Sequence, residues 1–129
     1  DEEIMMYLEK AKTKGEFIVA EDKGNIAGGL LIVKKQYGNH TLANFKHIAA
    51  KSPIRKIMTV LMQEAEKEVG KGKIELNIAE SESVGPSFFK KIGYKIEGKL
   101  SSHYRQGEVC YVLGKTIGEA PAQQQGTQE

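Results

Sequence analysis

Apolar residues recur along the chain in two rhythms, and the changes between them divide it into short elements. Ile4, Met5, Leu8 and Ala11 fall at helical spacing, which predicts an amphipathic helix over residues 2–13 that ends near Gly15. "EFIVAE" then reads as a strand, "DKGN" as a turn, and "IAGGLLIVKK" as a second strand buried on both faces. Gly38 and Asn39 mark a loop before a third strand, "TLANFKHIAA". Ser52 and Pro53 look like a helix start, with serine as N-cap and proline at the first helical position. Behind them Ile54, Ile57, Met58, Leu61 and Ala65 form one apolar stripe, and "QEAEKE" supplies the wet face. "KIELNIAE" alternates like a strand. Val84, Phe88 and Ile92 stack at intervals of four, which predicts a short helix over 84–92. "YKIEGKL" and "HYRQGEVCYVLGKTI" close the chain as a hairpin, and the polar stretch 118–129 predicts a disordered tail after a single domain over 1–117.

The strand–helix–strand passage through residues 41–79 needs a crossover, and a helical crossover implies parallel strands, whereas the short turns before it imply antiparallel ones. The predicted class is therefore α/β (α+β): a mixed, mostly antiparallel central sheet with helices on both faces. In such sheets a ligand commonly enters at the carboxyl end of a strand, beside a helix N-terminus. That places attention on "KSPIRKIMTV", where Lys51, Arg55 and Lys56 stand at the positive end of a helix. Each exposed cation there opposes the helix dipole by about 0.3–1 kcal/mol. The three make sense together if a polyanion binds; otherwise they are a solvated helix start.

A chain of 129 residues is long enough to bury a core without metal or disulfide staples. The formal net charge of +2 argues against a broad nucleic-acid face, and no aromatic–basic strand platform accompanies the basic helix start. Cys110 is the single cysteine and sits in the apolar run "EVCYVL", the setting of a buried, reduced thiol. No apolar run approaches the ~20 residues of a membrane span. Without a charged-then-apolar leader the chain reads as cytoplasmic, and its start at Asp1 reads as a processed end or an internal one. No histidine, cysteine and acid cluster has metal-ligand spacing.

The order of elements and several phrases resemble the GNAT superfamily of acyl-CoA-dependent N-acetyltransferases. "IELNIAESESVGPSFFKKIGYKIEG" is similar to the family's strand, loop and helix ending in a Phe-Tyr-x-Lys-x-Gly-Phe phrase, here Phe88, Phe89, Lys90, Lys91, Ile92, Gly93 and Tyr94. "HYRQGEVCYVLGK" resembles the closing strand with its Tyr-x-x-Gly-Glu around Tyr104, Gly107 and Glu108, and "EFIVAEDKGNIAGGLLI" resembles the hairpin with a glycine-bearing strand. The resemblance implies transfer of an acetyl group from acetyl-CoA to the amine of an acceptor that the sequence does not name. It implies that the strand end Ile48, Ala49 and Ala50 meets pantetheine. It further implies that the helix start Arg55, Lys56, Ile57 and Met58 meets the pyrophosphate, with Phe89 beside the cofactor.

The chain departs from the family in two ways. No glycine lies in residues 48–69, where the phosphate loop carries glycines, and Phe89 stands where the family's tyrosine acid is expected, with Glu82 seven residues earlier in place of an asparagine. His47 is then a candidate general base, its alternative being a structural strand histidine. Glu82 competes for the same role against a reading as a helix-capping acid, and Tyr104 is a candidate acid against a reading as a surface-strand tyrosine. The competing function is a GNAT-fold domain without transfer, working as a CoA-binding or protein-interaction module. A homodimer that covers an exposed sheet edge or completes the acceptor cleft is a further expectation.

Overall fold

Where the apolar spacing predicts a first helix, the chain forms a strand. The structure, a computed structural model, describes residues 4–10, 15–82 and 84–118. Its elements run β1 (Ile4–Lys10), β2 (Glu16–Asp22), β3 (Asn25–Tyr37), β4 (His40–Ala50), α1 (Ile54–Val69), β5 (Gly72–Ala79), α2 (Pro86–Lys91), β6 (Lys95–Ser101) and β7 (Val109–Ile117). Residues 4–10 pair antiparallel with β2, from Ile4 opposite Asp22 to Lys10 opposite Glu16. The same apolar positions serve an edge strand: Ile4 and Met6 pack against the core, while Met5 and Leu8 remain exposed. The expected tail lies outside the described residues, apart from Gly118.

The sheet has seven strands in the order β1-β2-β3-β4-β5-β7-β6. All neighbours are antiparallel except β4 and β5, which the α1 crossover makes parallel. Lys23 and Gly24 both take positive φ, 54° and 84°, as a two-residue hairpin turn with the twist of its strands requires. Gly72, at φ 133°, lets β5 start hard against β4, for a Cβ there would lie 2.3 Å from the Thr41 carbonyl oxygen.

Residues opposite one another across a ladder point to the same side of the sheet. Ile18, Ala20, Leu30, Ile32, Ala43, Phe45, Ile74, Leu76, Ile78 and Leu113 all point one way, and they form a single buried cluster with Ile57, Met58, Leu61, Met62 and Ala65 of α1 and Phe88 and Phe89 of α2. Both described helices therefore lie on one face, where the sequence reading expected them on both. The opposite face carries Phe17, Val19, Val33, Asn44, Lys46, Glu75 and Asn77, none of them fully buried, with no described helix over it.

α1 buries its stripe and ends at Gly70, whose N–H bonds the Glu66 carbonyl. Its N-cap is Pro53, in extended conformation and with no side-chain cap bond, so Ser52 does not cap the helix and the helix begins one residue later than the sequence implied. In α2, Phe89 is fully buried, edge-on to both Phe88 and Tyr94 at 5.1 and 6.0 Å between centroids. The Tyr94 hydroxyl donates to Glu66 Oε2 at 2.9 Å, and Lys115 Nζ donates to Glu66 Oε1 at 3.0 Å and to the Ile92 carbonyl at 2.8 Å. This knot joins α1, the end of α2 and β7. Burial, with the Glu66 charge second, pushes the Tyr94 hydroxyl far above its ordinary pKa, so it stays a donor. No described helix is long and apolar enough to cross a membrane.

Candidate active site

The site begins with a slip in the β3–β4 ladder. Leu31 faces Lys46 and Gly29 faces Ala49, so Leu30 alone spans His47 and Ile48. This is a bulge, and His47 takes φ 55° to make it, a conformation few non-glycine residues adopt. A bulged strand bends. Parallel pairing with β5 accordingly stops at Phe45 opposite Leu76, although β4 continues to Ala50 and β5 to Ala79. Between the two strands the sheet splits, leaving the β5-facing backbone edge of residues 46–50 without a strand partner.

The split opens on both sides. Toward the helices lies a cavity of about 210 Å³ lined by Ile48, Ala49, Ala50, Met58, Val84 and Phe89, among others. On the opposite side lies a cleft of about 490 Å³ lined by Asn44, Lys46, His47, Asn77, Glu82, His103, Tyr104 and Arg105, with Phe45, Ile48, Leu76 and Ile78 at its base. Ile48, Ile78 and Glu82 line both, so the two spaces adjoin at these residues.

Two loops hold the far wall. Ser102 N–H bonds the Glu108 carbonyl at 2.9 Å and Gly107 N–H bonds Ser102 Oγ at 2.8 Å, which closes the loop that carries His103 and Tyr104. Arg105 donates to Ser81 Oγ at 3.2 Å and also pairs with Glu108, tying that loop to the turn that carries Glu82. The Ser81 hydroxyl, and after it the Arg105 guanidinium, hold the Glu108 carboxyl below its ordinary pKa. The His103 and Tyr104 rings meet edge-on at 4.6 Å.

Several solved acetyltransferases superpose on this chain. An aminoglycoside 6'-acetyltransferase type Ii superposes with a TM-score of 0.70 and 26% identity, over 85% of this chain and 74% of that one. An aminoglycoside 6'-N-acetyltransferase complexed with coenzyme A gives 0.68 and 23% over 85% and 77%. Arabidopsis thaliana Naa50, in complex with the bisubstrate analogue CoA-Ac-MVNAL, gives 0.69 and 17% over 78% and 72%. This chain has the GNAT fold. No family model and no curated protein matches its sequence.

On this GNAT fold the residues singled out in the sequence fall into three groups. His47, Glu82 and Tyr104, far apart in the chain, line one cleft. The capping alternative for Glu82 fails, because α2 begins at Pro86 with Gly85 as its N-cap and no side-chain cap bond. Ile48, Ala49, Ala50, Met58 and Phe89 line the helix-side cavity, and Arg55 and Lys56 are exposed at the start of α1. Arg55 lies 5.8 Å from the Phe88 ring centroid. Ile57 does not belong to the site: its side chain is buried at 1% exposure and its N–H already bonds the Pro53 carbonyl.

Sequence reasoning missed Asn44, Lys46, Asn77, His103 and Arg105 as polar lining residues. For Asn44, Lys46 and Asn77 the available signal was polar residues at alternate positions in otherwise apolar strands, on the face away from the helices, whereas His103 and Arg105 lie in the loop before β7. Cys110 is buried, and burial raises its thiol pKa, so it stays an unreactive thiol. Among the described residues no cluster of histidine, cysteine and acid could hold a metal.

Proposed function

We propose that the protein transfers an acetyl group from acetyl-CoA to a primary amine. The observation that carries this reading is the split between β4 and β5, open on the helix side beneath a cationic helix start and on the other side to an imidazole, a carboxylate and a phenol. The unpaired edge of residues 46–50 offers amide and carbonyl groups to pantetheine, as an added strand would use them. At the start of α1 the first-turn N–H groups lack intrahelical acceptors, the first turn holds no acid, and Lys51 and Arg55 are exposed. That fits a pyrophosphate even without loop glycines, since the cations supply what closer backbone approach supplies elsewhere.

With the thioester across the split, the neutral amine nitrogen forms a bond to the acetyl carbon and the carbon–sulfur bond breaks. His47 takes the proton lost by nitrogen, with Glu82 the competing base, and Tyr104 supplies a proton to the departing thiolate. Calorimetric titration with acetyl-CoA, with free CoA as control, tests the donor site. Saturable binding that Arg55→Ala weakens supports it, and no binding at millimolar ligand sinks it.

Phe89 favours a second reading. Fully buried and without a hydroxyl at the family's acid position, it is what a domain that binds CoA or a protein partner without transfer would carry. CoA binding without thiol release across a broad amine panel, unaffected by Tyr104→Phe, selects that reading. The homodimer expectation draws support from the edge strand β1, where Met5 and Leu8 are 62% and 46% exposed. A monomeric mass in sedimentation at working concentration removes it.

A further inference from the structure

We propose that the acceptor is a primary monoamine on an apolar aryl or alkyl body, which lies in a groove on the bare face of the sheet while its nitrogen reaches His47. The proposal deepens the transferase reading and rests on it. The groove measures about 430 Å³, its walls come from Phe17, Val19, Ile26 and Ala49, and Gly29 leaves its floor without a side chain. Ile26 is 57% exposed and Phe17 and Val19 are half-buried, an apolar surface that β2, β3 and β4 present and no described helix covers.

Position argues for a substrate. His47 lines this groove and also the cleft of Glu82 and Tyr104, while Ala49 and Ala50 line both the groove and the helix-side cavity. The groove thus opens where the acyl group meets the candidate base.

Charge argues for its class. No carboxylate lines the groove, and Lys51 stands at its end. In the adjoining cleft Glu82 is the one carboxylate among the lining residues, beside Lys46 and an Arg105 that pairs with Glu108, so the cations in excess are Lys46 and the groove's own Lys51. A polyamine or aminoglycoside would set its further ammonium groups among these cations. A monoamine brings a single nitrogen, which sheds its proton as it bonds to the acetyl carbon; its body needs only apolar contact.

Thiol release from acetyl-CoA by the full chain tests this, with ethylamine, butylamine, hexylamine, 2-phenylethylamine, spermidine and kanamycin as acceptors. Each methylene that enters the groove should raise kcat/KM about fourfold, with 2-phenylethylamine far above spermidine and kanamycin. Ile26→Asn, at an exposed position, should flatten the series while acetyl-CoA affinity stays unchanged. A flat series in the wild-type chain, or preference for spermidine or kanamycin, overturns the proposal. If no amine is acetylated, calorimetry of the CoA-loaded protein with N-acetyl-2-phenylethylamine and N-acetylspermidine separates the two failures. Saturable binding of the aryl amide alone, lost in Ile26→Asn, upholds the groove while transfer fails; equal or absent binding overturns the groove as well.

Discussion

The two faces of this sheet are built to different rules. On the helix side Ile18, Leu30, Ile32, Ile74, Leu76 and Leu113 are each no more than 2% exposed and meet the stripes of α1 and α2 in one cluster. Across the same strands, one residue out of step, Phe17, Val19, Val33, Asn44, Lys46 and Asn77 are partly or fully exposed. The first face buries nearly every atom it presents and so holds the fold. The second buries Leu31, Ala79 and Cys110 but leaves those other side chains partly in water, and there His47, Glu82 and Tyr104 gather. A single sheet thus divides stability from candidate chemistry by the period of its own pleat.

Substitutions can break that division. The largest expected effect is on turnover: His47→Asn, which tolerates the positive φ, should slow acetyl transfer about 100- to 10,000-fold. Its thermal melt should stay close to wild type, and a large loss of stability would return His47 to a structural role. On the helix face, Phe89→Ala removes a fully buried ring and should cost about 3–5 kcal/mol in urea unfolding. Val33→Ala on the other face should cost about 0.5 kcal/mol by the same measurement, and equal costs would erase the contrast.

Glu66→Ala should fall between these, at about 1–3 kcal/mol, because it leaves the Tyr94 hydroxyl and Lys115 without their shared partner. The smallest effect concerns pH. Glu108 has a folded-state pKa below its unfolded value of about 4.3, so its contribution to stability is present above that pH and lost as pH falls through the folded value. Glu108→Gln should therefore make the acid side of the melting curve, below pH of about 4.3, shallower than wild type.

Much of this was legible in the residues. The alternation in "EFIVAE" and "KIELNIAE", the stripe behind Pro53 and the two-residue turn at Lys23 and Gly24 are local signals, and they emerged as elements close to their expected bounds. Residues 4–10 were not legible as a strand, because an edge strand tolerates apolar side chains on either side. Met5 and Leu8 fitted a helical stripe that only pairing with β2 overrules. The placement of both helices on one face was likewise invisible, since it depends on register, not on the period of any single segment. At the site, His47, Glu82 and Tyr104 could be named by chemistry alone. That they line one cleft follows from the bulge at His47 and the tether from Arg105 to Ser81, which are long-range facts. Ile57 failed as a ligand-binding residue for a related reason: proximity in sequence to the helix start does not say which side of the helix faces inward.

That tether has a mechanical consequence. Glu80 and Val109 bond one another twice, N–H to carbonyl at 2.9 Å and N–H to Glu80 Oε2 at 3.2 Å, and Arg105 adds a third strut. The turn bearing Glu82 and the loop bearing Tyr104 are thereby suspended from a common frame. The spacing of carboxylate and phenol is thus set by bonds between the two loops themselves, with no contribution from either helix to those bonds.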